Sequence, residues 1–198
     1  NPNIDFEKAN KFNVGVDAAF LDNRLSFSVE YFNNKYYDLL QIRGRSSSII
    51  GNSYPRENIG SNRYTGTEFK LGWQEKTNNG FQYFALLNAS VLRTKVLYMD
   101  EVFRPYYWMR RTGWAVGQTF GYVADGLFQT QEEINKSATT VGYTPQPGDI
   151  KYKDLNKDGV IDQFDEKAIG RKYEPLLFFG LSLGAEFKGF DFSALIQG

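Results

Sequence analysis

Six stretches of the chain alternate apolar and polar residues with a period of two, which is the period of a β-strand. The first contains Phe12, Val14 and Val16, which are separated by Asn13 and Gly15. The predicted strands cover about residues 7–21, 24–40, 62–75, 81–96, 175–187 and 190–198. The pattern therefore predicts an all-β fold.

The connections between these strands are of two kinds. Short turns follow the first, third and fifth strands, whereas about residues 41–60 and 97–174 form long loops. Short turns at one end and long loops at the other are typical of antiparallel transmembrane β-barrels, whose long loops are extracellular. Six strands cannot close such a barrel, so we expect a segment of a larger barrel that pairs with its remainder.

The alternation gives the predicted sheet an apolar face and a polar face. In a barrel we expect lipid to contact the following apolar residues: Phe12, Val14, Val16, Phe27, Val29, Phe69, Leu71, Leu181, Leu183, Phe190 and Phe192. We expect the lumen to contain the following charged residues: Asp17, Glu30, Glu68, Lys70, Glu186 and Asp191. A soluble β-sandwich alternates in the same way, so the pattern alone leaves both architectures open.

Composition excludes several classes of function. The chain has no His and no Cys, which removes Ser-His-Asp and Cys-His catalysis and disulfide frameworks, and we predict no enzyme and no catalytic residue. The 23 basic residues balance the 23 acidic residues, which argues against a nucleic-acid partner. No apolar run is long enough for a transmembrane helix. The first residues are not a signal peptide, so we expect a fragment that lacks the true N-terminus.

Residues 154–165 match the twelve-residue calcium loop of an EF-hand. Oxygen-bearing side chains occupy loop positions 1, 3, 5, 9 and 12, and Gly159 occupies position 6, where the chain must turn sharply. The predicted ligands of a structural Ca²⁺ are Asp154, Asn156, Asp158, the Val160 carbonyl, Asp162 and Asp165. The alternative is an acidic turn that binds no ion.

Two further patterns lie in the second long loop. Thr130 and Glu133 have the spacing of a capping box at the start of a short helix. Arginines alternate with aromatic residues shortly before it, and such side chains can stack on sugar or peptide ligands. The residues predicted to bind a ligand in this way are Arg104, Tyr106, Tyr107, Trp108 and Arg110. Packing of these side chains against neighbouring loops is the alternative.

Several of these segments together resemble one family, the SusC/RagA-type TonB-linked outer-membrane transporters. The resemblance lies in residues 1–8, 21–25, 58–68, 117–130, 147–162 and 188–198. It follows the family's order along nearly the whole chain, whereas residues 131–146 and the segment near 98–111 match no family pattern. We expect substrate choice to lie in those unmatched loops.

The resemblance implies a location in the bacterial outer membrane and a role in nutrient uptake. The implied partners are the rest of the barrel with its plug domain, a SusD-like surface lipoprotein, TonB, and outer-membrane lipid. TonB would act through a region outside this chain. The implied cargo is an oligosaccharide or peptide fragment. A soluble calcium-binding β-sandwich or carbohydrate-binding module is the alternative function, and a dockerin-like module is weaker because only one calcium loop is present.

Overall fold

A computed structural model describes residues 4–44, 55–170 and 175–198. Six long antiparallel strands form one sheet in the order β1-β2-β3-β4-β11-β12. Their bounds are Lys8–Phe20 for β1, Leu25–Gln41 for β2, Glu57–Lys76 for β3, Gln82–Tyr98 for β4, Leu177–Phe187 for β11 and Phe190–Gln197 for β12. No helix within the described residues is long and apolar enough to span a membrane.

Tight turns join β1 to β2, β3 to β4 and β11 to β12. The first turn places Leu21, Asp22 and Asn23 at positive φ, a conformation that Asp and Asn tolerate better than most residues. In the last turn Lys188 and Gly189 also have positive φ. These turns lie at one end of the sheet, and the long connections lie at the other, as the sequence predicts.

The pairing register places the predicted apolar and charged sets on opposite faces of the sheet. Val16 is opposite Val29, and Val29 is in turn opposite Phe69 on β3. On the other face, Glu30 is opposite Glu68. We call the face that contains Val16, Val29 and Phe69 the apolar face, and the face that contains Glu30 and Glu68 the polar face. The predicted separation of the two residue sets is therefore confirmed.

The soluble β-sandwich alternative requires a second sheet packed over the apolar face. Within the described residues the long strands form a single sheet, and the side chains of its apolar face are largely exposed, among them Phe12, Val16 and Phe192. Both edge strands, β1 and β12, have a described partner on one side only. This arrangement favours a wall segment that continues into further strands over a closed soluble domain.

On the polar face, a few aromatic side chains fill the space above glycine residues of the neighbouring strand. The ring of Phe84 lies over Gly184 on the neighbouring strand, where a Cβ atom would collide with it. Phe32 covers Gly66 in the same way. The mixed apolar and polar character of β4 in the sequence therefore has a packing reason, because a bulky ring fills the space that glycine leaves.

Strand β3 starts at Glu57, earlier than the predicted start near residue 62. Its first residues pair with the end of β2 across an irregularity in which Asp38 has positive φ. The side-chain amide of Asn58 donates to the Asp38 carbonyl at 2.8 Å. A bulge of this kind interrupts the period-two pattern, which is why the sequence suggests a loop there.

The long connection from β4 to β11 contains local structure of its own. Three two-stranded ladders form within its described part from β5 Phe120–Gly121, β6 Ala124–Leu127, β7 Thr139–Thr140, β8 Ile150–Tyr152, β9 Val160–Ile161 and β10 Lys167–Ala168. One helix, α1 Gln131–Lys136, lies between β6 and β7. The described part of this connection also contains the buried apolar residues Met109, Phe128 and Ile161.

Candidate functional site

The acidic loop 154–165 folds around hydrogen bonds from its own backbone. The carboxylate of Asp154 accepts from the backbone N–H of Lys157 at 2.6 Å and of Gly159 at 2.8 Å. Both donors have left-handed backbone, with φ of 61° at Lys157 and 85° at Gly159. Gly159 adopts this conformation without strain, which is the reason for a glycine at the sixth loop position.

Asp165 joins the two ends of the loop. Its side chain is fully buried, with 0% of its surface exposed. One carboxylate oxygen accepts from the Leu155 N–H at 2.7 Å, and the other accepts from the Asp162 N–H at 3.0 Å. Asp162 in turn caps the 3-10 helical turn Gln163–Asp165 by accepting from the Phe164 N–H at 2.8 Å. A buried carboxylate without these donors would be costly, so the loop geometry and the burial depend on each other.

The middle of the loop is held by Asn156 and Asp158. The Asn156 amide donates to one Asp158 carboxylate oxygen at 2.8 Å, and the other oxygen accepts from the Val160 N–H at 2.9 Å. Within the described residues, no group of three or more acidic side chains is close enough together to hold a metal ion. The oxygen donors suit calcium chemically, but their side chains are directed at backbone N–H groups. Calcium binding therefore stays a prediction.

The predicted arginine and aromatic cluster lies against this acidic loop. Tyr106 and Trp108 are stacked with ring centroids 4.6 Å apart and an interplanar angle of 5°. The indole N–H of Trp108 donates to the Phe164 carbonyl at 2.9 Å, and the Tyr106 ring meets the Phe164 ring edge-on at 6.1 Å. Two segments that are 56 residues apart in sequence are therefore joined.

The members of the cluster differ in their access to solvent. Tyr107 is 77% exposed and packs edge-on against Trp108, and Arg110 is also exposed. The Nε atom of Arg104 is buried and has no hydrogen-bond partner among the described residues. Tyr106 and Trp108 are engaged in packing, so Tyr107 and Arg110 provide the accessible surface. Ligand binding by this cluster stays a prediction.

Glu101 organises the same region, and no pattern in the sequence identifies it. Its carboxylate accepts from the backbone N–H groups of Arg111 and Thr112, each at 2.7 Å, and from the Thr112 hydroxyl at 2.6 Å. Partial burial raises the pKa of Glu101, but these hydrogen bonds outweigh it, and the net pKa lies below its ordinary value. The Arg111 guanidinium lies 3.6 Å from the centre of the Phe120 ring.

The predicted capping box is half confirmed. Thr130 caps α1, because its hydroxyl accepts from the Glu133 N–H at 3.2 Å. The Glu133 side chain accepts from the N–H of Gln129 at 3.0 Å, one residue before the expected donor. It also forms an ion pair with Lys151 at 2.9 Å, which connects α1 to β8.

The single antiparallel sheet, its two chemically distinct faces and its long strands define a wall segment of a membrane β-barrel. A family model described as "TonB dependent receptor-like, beta-barrel" matches residues 1–147. The chain therefore belongs to the TonB-dependent receptor family, whose members are outer-membrane proteins. In such barrels the apolar face contacts lipid and the polar face lines the lumen.

Individual relatives agree with this assignment. TonB-dependent receptor P3 of Formosa agariphila is 29% identical over 215 residues, covering 100% of this chain and 21% of that protein. TonB-dependent receptor SusC of Bacteroides thetaiotaomicron is 24% identical over 201 residues, covering 98% of this chain and 19% of that protein. The chain thus spans about a fifth of the length of the relatives it matches.

A solved structure of the RagAB peptide transporter has a similar fold. Its TM-score is 0.74 at 21% sequence identity, and the match covers 100% of this chain and 21% of that chain. At this level of identity the likeness shows the fold alone. It agrees with an all-β, antiparallel wall segment.

Proposed function

We propose that the full-length protein containing this chain imports glycan or peptide fragments across the outer membrane together with a SusD-like lipoprotein. TonB would energise the import through a plug domain in the part of the protein outside this chain. The proposal is supported by a combination of two features: the sheet has an apolar face suited to lipid, and a long connection extends from one end of the same sheet. That connection presents an exposed aromatic and arginine surface at Tyr107 and Arg110.

The position of this surface supports a role in cargo selection. Binding residues concentrate in loops that a rigid scaffold positions. Here the rigid scaffold is the long β3–β4 ladder, and Trp114 extends it because its carbonyl accepts from the Val96 N–H at 2.8 Å. Aromatic rings stack on sugars and peptides, and arginine recognises carboxylates, so the surface suits either class of cargo.

Uptake by cells that express the full-length protein tests the proposal. Cells receive fluorescent peptides or fluorescent oligosaccharides, with and without a protonophore, and the tagged transporter is purified to identify lipoproteins bound to it. We expect energy-dependent uptake of one cargo class and one copurifying lipoprotein. Uptake that is unaffected by deletion of the gene would contradict the proposal.

A matched pair of variants separates cargo binding from folding. Tyr107→Ala removes an exposed ring from the proposed surface, and Tyr143→Ala removes another exposed ring, 57% exposed, elsewhere in the same connection. We expect Tyr107→Ala to raise the cargo concentration for half-maximal uptake and Tyr143→Ala to leave it unchanged. Equal effects of the two substitutions would exclude a specific role for Tyr107.

We also propose that the acidic loop binds one structural Ca²⁺. Asp154, Asn156, Asp158, Asp162 and Asp165 would supply side-chain oxygens, together with the Val160 carbonyl. What supports the proposal is the loop's left-handed turn at Gly159 and its density of oxygen ligands. Binding would require the Asn156 and Asp158 side chains to exchange their present hydrogen bonds for the ion.

Calorimetric titration of the calcium-depleted full-length protein tests this second proposal. Asp158→Ala should abolish a binding isotherm in the submillimolar to millimolar range, about 10⁻⁴–10⁻³ M. Asp125→Asn is the matched control, since Asp125 pairs with Lys153 at 3.1 Å outside the loop. Absence of any calcium-dependent heat in the unsubstituted protein would refute calcium binding and leave the barrel assignment intact.

A further inference from the structure

A row of cations crosses three neighbouring strands on the apolar face of the sheet. The register places Lys35 of β2 opposite Arg63 of β3, and Arg63 opposite Lys95 of β4. Arg93 lies two residues before Lys95 on the same face, opposite Thr65. All four cationic side chains are exposed. We call Lys35, Arg63, Arg93 and Lys95 the cationic row.

The cationic row has no acidic counterpart among the described residues. Its nearest same-face neighbours in register are Asn10, Asn33 and Thr65, none of which is charged. The salt bridges in the described part of the chain include none of the four cations. Lys35 has one weaker contact, with its Nζ atom 6.0 Å from the centre of the Tyr37 ring. Like charges directly opposite each other on a sheet are destabilising, so this row favours an anion from outside the described chain.

Three cations elsewhere near the ends of the strands form ion pairs with acidic side chains. Lys8 lies 3.0 Å from Asp38, and Arg43 lies 2.7 Å from Glu57, both closer to the long-loop end than the cationic row. At the opposite end of the sheet, Arg24 lies 3.0 Å from Glu75. The whole chain has equal numbers of acidic and basic residues, so the unpaired row is a local feature.

The position of the row matches a lipid headgroup layer. Val91 belongs to the apolar face, and Arg93 and Lys95 follow it on the same strand toward the long loops. At about 3.3 Å per residue these cations lie roughly 7–13 Å beyond Val91 along the strand. With a strand tilt of about 35–45°, this becomes roughly 5–11 Å from Val91 along the membrane normal, toward the headgroups on the long-loop side.

We propose that the cationic row binds the phosphate groups of an anionic lipid in the leaflet on the long-loop side. Arginine can hold a phosphate through two parallel hydrogen bonds, and adjacent strands about 4.7–4.9 Å apart place the cations within reach of one multiply phosphorylated headgroup. The acyl chains would lie along the apolar face below. The proposal rests on that face contacting lipid and is independent of cargo, partner lipoprotein and calcium.

Lipid retention by the purified full-length protein tests this inference. The probes are lipid A that carries two phosphates, the same lipid after phosphatase treatment, and phosphatidylcholine, each added to the delipidated protein and measured by native mass spectrometry. Each cation near a charged membrane surface strengthens binding about fivefold, so each single Gln substitution in the row should weaken retention of the phosphorylated lipid by about that factor. Replacing all four cations should abolish it.

The control variant removes the same charge from the other face. Lys11 lies on the polar face opposite Asn34, one register position from Lys35 of the cationic row. Lys11→Gln therefore removes a charge without changing a side chain that contacts lipid. We expect it to retain the phosphorylated lipid as the unsubstituted protein does. Equal retention by the four-substituted protein, or by all proteins with phosphatase-treated lipid, would overturn the proposal. If the four-substituted protein lost a copurifying lipoprotein but retained the phosphorylated lipid unchanged, the proposal would be overturned, and the row would instead contact a protein.

Discussion

Removing the buried carboxylate of Asp165 should open the acidic loop. In Asp165→Ala the N–H groups of Leu155 and Asp162 lose their acceptors, which now lie at 2.7 and 3.0 Å. A hydrogen bond to a charged group contributes about 1.5–3 kcal/mol, so the two together stabilise the closed loop by about 3–6 kcal/mol. Water that enters the space left by the side chain would move the result toward the lower value.

Hydrogen exchange of the full-length protein in detergent measures this effect. About 3–6 kcal/mol corresponds to roughly two to four decades in the protection factors of the loop amides. The Gly159 amide is the diagnostic one, because its acceptor is Asp154 and it loses protection only if the whole loop opens. Asp125→Asn, outside the loop, should leave all of these amides unchanged. Unchanged exchange at Gly159 in Asp165→Ala would refute the view that Asp165 closes the loop.

Three other perturbations test the sheet, the contact between the two loop segments, and the cap of α1. Leu71→Arg on the apolar face should destabilise the folded barrel by about 2–4 kcal/mol if it lies near the bilayer midplane, measured by urea unfolding in vesicles. Trp108→Phe replaces the indole by a phenyl ring and removes the donor to Phe164, and should increase proteolysis of the long connection. Hydrogen bonds from the Gln129 N–H and the Lys151 ammonium lower the pKa of Glu133. The ionised Glu133 carboxylate therefore stabilises the folded connection fully above its ordinary pKa near 4.5, and this stabilisation disappears as the pH falls through the lowered pKa.

Each of these predictions has a control and a contradicting result. Lys70→Arg changes a side chain on the polar face beside Leu71, and an equal loss of stability there would contradict the assignment of the two faces. Trp114→Phe is the control for Trp108→Phe, and equal proteolysis of both would exclude a specific role for the Phe164 contact. For Glu133, a protection factor of the Gln129 amide that stays constant as the pH falls from neutrality to below 4.5 would show that the carboxylate does not hold the start of α1.

The faces of the sheet were predictable because side chains in a strand alternate with a strict period of two. The early start of β3 was not predictable, because Asn58 and Gly60 are residues typical of turns and the first residues of β3 pair with β2 across a bulge. The hydrogen bond from Trp108 to the Phe164 carbonyl was not predictable, because no local pattern encodes a contact between residues so far apart. The cationic row was not predictable for the same reason, because only the strand register shows that Lys35, Arg63 and Lys95 are neighbours.

We infer that this chain forms part of the wall of an outer-membrane barrel, with its apolar face against lipid. The chain contains no cysteine, so single cysteines can be placed here for spin labelling without background from these 198 residues. Labels at Val29 and Leu71 report on the apolar face, and labels at Ser28 and Lys70 report on the polar face.

Spin relaxation of these labels in the full-length protein, in native outer-membrane vesicles, distinguishes the two environments. Oxygen concentrates in the hydrocarbon, and a water-soluble nickel chelate remains in aqueous spaces. We predict high oxygen and low nickel accessibility at Val29 and Leu71, and the reverse relation at Ser28 and Lys70. The same accessibility on both faces, or the opposite alternation, would contradict the barrel-wall account.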